Sequence, residues 1–134
     1  MLAARTISLS IQRDWRDLYE RFWRPESFPL WASGLSKAGL EQAGDVWRAK
    51  GPDGPMTIRF TPHNAFGIMD HWVDVGGGCE VYVPLRMLAN GTGCLVSLTL
   101  FRQPEMDEAR FAQDAAWVER DMEALKYLAE ENRR

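Results

Sequence analysis

The chain has 134 residues, 46% of them hydrophobic and 26% charged, which is the size of one globular domain with enough apolar material for a real core. Its net charge of −3 and pI near 5.4, with Lys and Arg spread along the chain, argue against the basic patch that nucleic-acid binding requires. No apolar run approaches the roughly 18 residues of a membrane span, and Met1-Leu2-Ala3-Ala4-Arg5 is too quickly charged for a signal peptide, so a cytoplasmic location is expected.

Thr6 to Gln12 alternates Ile7, Leu9 and Ile11 with polar residues, the period of a half-buried strand. Asp14 stands where a helix cap belongs. Trp15, Leu18, Tyr19, Phe22 and Trp23 then follow at helical spacing until Pro25 ends the run. Glu26 to Ala32 reads as a second short helix limited by Pro29. From Leu35 the turn signals come every eight to twelve residues, the rhythm of an antiparallel meander. The strands expected there are Leu35 to Gln42, Val46 to Lys50, Pro55 to Pro62, Phe66 to Val75, Cys79 to Leu88 and Cys94 to Arg102. Pro104 stops the last of these. The chain to Arg134 then reads as one long helix capped by Asp107, with Phe111, Ala115, Val118, Met122, Leu125 and Ala129 on a single stripe.

Catalytic and metal motifs are not visible. Gly76-Gly77-Gly78 precedes a strand and lacks the Lys-Ser/Thr of a phosphate loop, so it reads as a hairpin turn. With only His63 and His71, a histidine-rich metal site is excluded, and no cofactor is implied. Cys79 and Cys94 have no CxxC context and read as reduced strand residues rather than nucleophiles.

The order of one strand, two short helices, antiparallel strands and a long C-terminal helix resembles the helix-grip fold of the START and Bet v 1-like (SRPBCC) superfamily. In detail the chain is similar to its small bacterial polyketide cyclase/dehydratase-like branch. The residues that carry the resemblance are Phe28-Pro-Leu-Trp31-Ala-Ser-Gly34, Phe66-Gly-Ile-Met-Asp-His71, Val81-Tyr-Val-Pro-Leu-Arg86, Leu98-Thr-Leu-Phe-Arg102, Phe111-Ala-Gln-Asp114 and Val118-Glu-Arg-Asp121-Met122. The resemblance spans nearly the whole chain. It implies an α+β fold, a single domain over residues 1–134, in which an antiparallel sheet of about six or seven strands wraps the C-terminal helix around a cavity for a hydrophobic small molecule. The superfamily includes carriers, lipid-binding proteins and some enzymes, so the fold alone does not decide among them.

Strand alternation selects an inner face of Met56, Ile58, Phe60, Met69, His71, Val73, Val81, Val83, Leu85, Met87, Val96, Leu98 and Leu100. His71 is the one polar group on it, either a core histidine or a ligand-orienting one. Asp114, Trp117, Val118 and Asp121 share an edge of the helical stripe, where the aspartates either reach the cavity or pair with nearby cations. Arg59 and Arg86 fall in the outward phase, unless a bulge beside Pro84 turns Arg86 inward. Trp31 is either a lid residue or a core anchor. The expected ligand-binding set is Trp31, Phe60, Met69, His71, Val83, Met87, Leu98, Trp117, Val118 and Met122. The leading reading is a binding or carrier domain for an apolar, including aromatic, small molecule. Two alternatives are a polyketide cyclase/dehydratase-like enzyme using His71 with a helix aspartate, and an interaction module that pairs subunits as a homodimer through the outer sheet face or Trp72 and Tyr82.

Overall fold

The structure is a computed structural model and describes residues 1–33, 40–51, 54–76 and 80–131. Strand β1 (Ala4–Ile11) leads into helix α1 (Trp15–Phe22) and a 3₁₀ helix (Pro25–Leu30). The Asp14 side chain accepts from the Arg16 and Asp17 N–H groups and so caps α1. The strands that follow are β2 (Glu41–Ala43), β3 (Val46–Gly51), β4 (Gly54–Phe60), β5 (His71–Asp74), β6 (Glu80–Val83), β7 (Leu85–Asn90) and β8 (Gly93–Phe101); helix α2 (Glu108–Glu131) closes the chain. Asp107 caps α2 through the Arg110 N–H at 2.8 Å. Among the described residues no helix is long and apolar enough to cross a membrane.

All pairings are antiparallel, in a three-stranded sheet β1-β8-β7 and a five-stranded sheet β2-β3-β4-β5-β6. One residue, Pro84, separates β6 from β7 and marks the seam between the two sheets. The stretch read as a single strand from Cys79 to Leu88 is thus two, because proline has no N–H to give to a ladder. The sheets remain joined at the seam by Met69 N–H to Leu85 C=O at 2.7 Å, Met87 N–H to Gly67 C=O at 2.9 Å and the Ile68–Arg86 bridge.

The strand expected from Phe66 to Val75 begins only at His71. The Asn64 side-chain carbonyl accepts from the Phe66 and Ile68 N–H groups, and its amide donates to the Pro62 and Ile68 carbonyls, so one side chain takes bonds a ladder would have used. Gly67 then turns with φ +72°, where a Cβ would come within 2.3 Å of the Met87 carbonyl oxygen. The strand expected from Leu35 falls mostly outside the described residues, as does Cys79.

The register puts the expected inner residues on one face. Phe60 faces His71 and His71 faces Val83; Leu85 faces Leu98 and Leu98 faces Ile7; Met87 faces Val96. Helix α2 lies across this face with Ala115, Met122, Leu125 and Ala129 buried. Its C-terminal end is fixed by Arg13 and Arg21, which donate to the Ala129 and Leu128 carbonyls, and by Lys126, which donates to the Ser10 carbonyl at 3.0 Å.

Candidate functional site

The inner face divides into two parts. Toward β1, β7 and the second half of α2 it is closely packed: Ile11, Leu18, Phe22, Leu85, Met87, Val96, Met122 and Leu125 are each at most 1% exposed. Toward β5, β6 and the start of α2, residues in the same phase keep part of their surface, and between them lies a half-enclosed cavity of about 210 Å³. Its walls include Val73, Val81, Val83 and Leu100 from the sheet and Phe111 and Asp114 from α2.

His71 is two residues from Val73 and pairs directly across from Val83, both of them wall residues of this cavity. Its side chain is partly buried. Burial holds its pKa below the usual histidine value, against the opposing effects of the Met69 carbonyl and Asp70, so the ring is neutral at pH 7. Ring nitrogen Nδ1 lies 3.1 Å from the Met69 carbonyl oxygen. A carbonyl can only accept, so Nδ1 carries the hydrogen and Nε2 is left with an open lone pair. Phe60 and Phe28 pack on the ring at centroid distances of 5.7 and 5.5 Å. Phe28 also meets Trp31 at 5.5 Å. Trp31 is 5% exposed, and its indole N–H has no hydrogen-bond partner. A buried donor left unpaired is uncommon and costs about 1–3 kcal/mol.

The Trp31 segment is tied to α2 one turn further on. Ser33 donates its hydroxyl and backbone N–H to Asp121 at 2.7 and 3.2 Å, and the Trp117 indole N–H donates to the Ser33 hydroxyl oxygen. Burial raises the Asp121 pKa, with the Ser33 bonds and Arg120 opposing it. Asp114, at the cavity wall, pairs with Arg110 at 3.0 Å. The aspartates on the helix edge are therefore engaged by Ser33 and Arg110, and among the described residues no carboxylate bonds to His71.

Of the other residues singled out from the sequence, Phe60, Val83, Trp117 and Val118 are partly buried, and Val83 alone among them lines the cavity. Met69, Met87, Leu98 and Met122 are buried in the packed core. Arg86 faces outward, and there the structure shows what the sequence did not signal. Asp70, 5% exposed, accepts from the Tyr82 hydroxyl at 2.6 Å, the Leu85 N–H at 2.9 Å and the Arg86 guanidinium at 3.0 and 3.3 Å. Burial alone would raise its pKa, but these donors outweigh it and hold the carboxyl below the usual value. Asp70 is thus the clasp at the Pro84 seam. Beyond it on the outer face, Trp72 stacks on Tyr82 and Tyr82 on Phe101, with Arg59 over Trp72. Cys94 is fully buried and its thiol is pushed up to about 11, which removes it as a nucleophile.

No protein-family model matches the chain, and no curated protein sequence matches it. Solved structures do. A START superfamily protein from Mycobacterium smegmatis aligns over 96% of this chain and 97% of its own, with TM-score 0.71 and 10% identity. The Bet v 1-like protein Ara h 8.0201 aligns over 98% and 100%, with TM-score 0.67 and 9% identity. DynU16, from the dynemicin biosynthetic locus, aligns over 93% of this chain and 46% of its own, with TM-score 0.66 and 16% identity. At these identities the likeness is one of fold. The chain has the helix-grip fold of the START and Bet v 1-like proteins, the SRPBCC fold, as the resemblance implied.

Proposed function

We propose that this protein binds or carries a hydrophobic small molecule, aromatic ones included, in the cavity between the sheet and α2. The observation that carries this reading is the cavity itself, of about 210 Å³, walled by Val73, Val81, Val83, Leu100 and Phe111. An apolar hollow with few convergent polar groups is the usual form of a small-molecule site. A natural core without a ligand to accommodate closes such space, because each unfilled volume forfeits contacts. The fold supports the same reading, since its solved neighbours include START and Bet v 1-like proteins. Titration with polycyclic, fatty-acyl and quinone-like compounds, followed by tryptophan fluorescence, tests the proposal: saturable changes from at least one class are expected. No response from any class, with an experimental structure whose interior is filled by side chains, contradicts it.

A further inference from the structure

The binding reading leaves open what the ligand must carry, and the residues of the cavity wall bear on that. The cavity lies where the two sheets part. Leu85 and Leu98 are the last pair of β7 and β8, and one further bond runs from the Thr99 N–H to the Pro84 carbonyl at 3.0 Å. Continued past Pro84, that register would set Tyr82 opposite Phe101, yet β6 and β8 belong to different sheets. At this opening the Gln103 side chain donates its Nε2–H to the Phe101 carbonyl at 2.9 Å. Gln103 is held there by a turn in which the Met106 N–H donates to the Gln103 carbonyl at 3.0 Å and the Arg102 Nε–H donates to the Met106 carbonyl at 2.9 Å. Tyr82, Phe101, Gln103 and Met106 all belong to the cavity wall, with Asp114 of α2.

The polar side-chain atoms left on this wall are acceptors. The Tyr82 hydroxyl donates to Asp70. With Nε2 on a carbonyl, the orientation of the Gln103 amide is fixed, and Oε1, which bonds to none of the described residues, can only accept. The Asp114 carboxylate likewise only accepts, and Arg110 engages one of its oxygens at 3.0 Å. Among the described wall residues there is no lysine, arginine or histidine. A carboxylate ligand would thus give up its hydration beside Asp114 with no cation on the wall to meet it, a cost that apolar burial does not offset. An ether or a quinone brings only acceptors and finds no free side-chain donor. The volume of about 210 Å³ is also below the usual range for drug-sized ligands. We infer that, if the cavity binds as proposed above, Gln103 and Asp114 set its selectivity: the ligand is a compact, uncharged molecule whose O–H or N–H donates to Gln103 Oε1, and Asp114 turns anions away.

Calorimetric titration of the intact protein at pH 7 with 2-naphthol, 2-methoxynaphthalene and 2-naphthoate tests this, the weakest ligand being measured by competition with the naphthol. The ether keeps the shape and the acceptor oxygen but has no donor hydrogen; the naphthoate places a negative charge at the same point. The naphthol is expected to bind about three- to tenfold tighter than the ether, as one net hydrogen bond implies, with the naphthoate weakest. Gln103→Leu should remove the naphthol's advantage over the ether, and Asp114→Asn should narrow the gap between naphthol and naphthoate. An ether as tight as the naphthol, a naphthoate tighter than both, or a preference that does not respond to its variant overturns the inference while leaving a binding cavity in place. Should Gln103→Leu not fold, the naphthol-to-ether comparison in the unaltered protein decides. If none of the three binds while another ligand class does, the assigned selectivity is wrong; if no ligand class binds at all, the cavity reading falls and takes this one with it.

Discussion

The two parts of the inner face are built from the same kinds of residues in the same strand phase, yet one is solid and the other hollow. Val96 and Val83 both point at α2; Val96 is fully buried, whereas Val83 lines a cavity. Leu85 and Leu100 make the same contrast. The difference lies in what stands opposite. The second half of α2 presents Met122, Leu125 and Ala129 and is fixed there by Arg13, Arg21 and Lys126. The first half presents Phe111 and Asp114 over β5 and β6 and leaves space. Alternation along a strand specifies which side a residue faces. How closely the facing element approaches is a tertiary matter, and that decides whether a residue supports the fold or is free to meet a ligand.

The sharpest way to break this contrast is to delete matched side chains. Leu85→Ala should cost about 2–5 kcal/mol in urea unfolding, because its site is filled on all sides, while Leu100→Ala should cost less than about 1.5 kcal/mol, because part of its surface already faces empty space. Equal losses would mean that the halves are packed alike. Gly67→Ala probes a close backbone approach in the packed half. The Cβ clash with the Met87 carbonyl and the positive φ together should cost about 3 kcal/mol, read as a drop in melting temperature.

At the seam between the halves, Asp70→Asn should cost about 1–3 kcal/mol, since it disrupts bonds from Tyr82 and Arg86 while Arg86 remains partly solvated. The pH dependence has a definite sign. A carboxyl whose folded pKa is lowered contributes stability that is fully present above its unfolded value of about 4 and is lost as pH falls through the folded value. Unfolding free energy of the unaltered protein should therefore decline more steeply below about pH 4 than that of Asp70→Asn. Matching slopes would show that Asp70 is not held as described. The smallest effect expected is from Trp117→Phe. It removes one partly solvated bond to Ser33 and should cost about 0.5–1 kcal/mol in thermal melts, while loosening the segment that carries Trp31.

Much of this arrangement was legible in the residues. The alternation of Ile7, Leu9 and Ile11, the cap at Asp14, the stop at Pro25 and the stripe from Phe111 to Ala129 each follow from local rules, and the inner phase from Met56 to Leu100 follows once the strands pair antiparallel. What escaped was set by distant partners. Asp70 reads like any polar strand residue, and only the break at Pro84, which frees the Leu85 N–H, makes it a clasp. Asn64 reads as a turn residue, yet its side chain takes over the backbone groups that would have begun β5 at Phe66. Met87 and Val83 were indistinguishable as wall residues, because periodicity carries no information about the distance to α2. His71 was singled out as the polar group of the inner face, but the open Nε2 depends on the Met69 carbonyl holding Nδ1, a contact that no spacing encodes.

Methyl-resolved NMR titration with 2-naphthol tests the central claim most directly, because it reads both halves in one experiment. The account predicts saturable shifts at the methyl groups of Val73, Val81, Val83 and Leu100, with Leu85, Met87, Val96 and Met122 unmoved. Shifts spread evenly over both sets, or confined to the packed set, would contradict it.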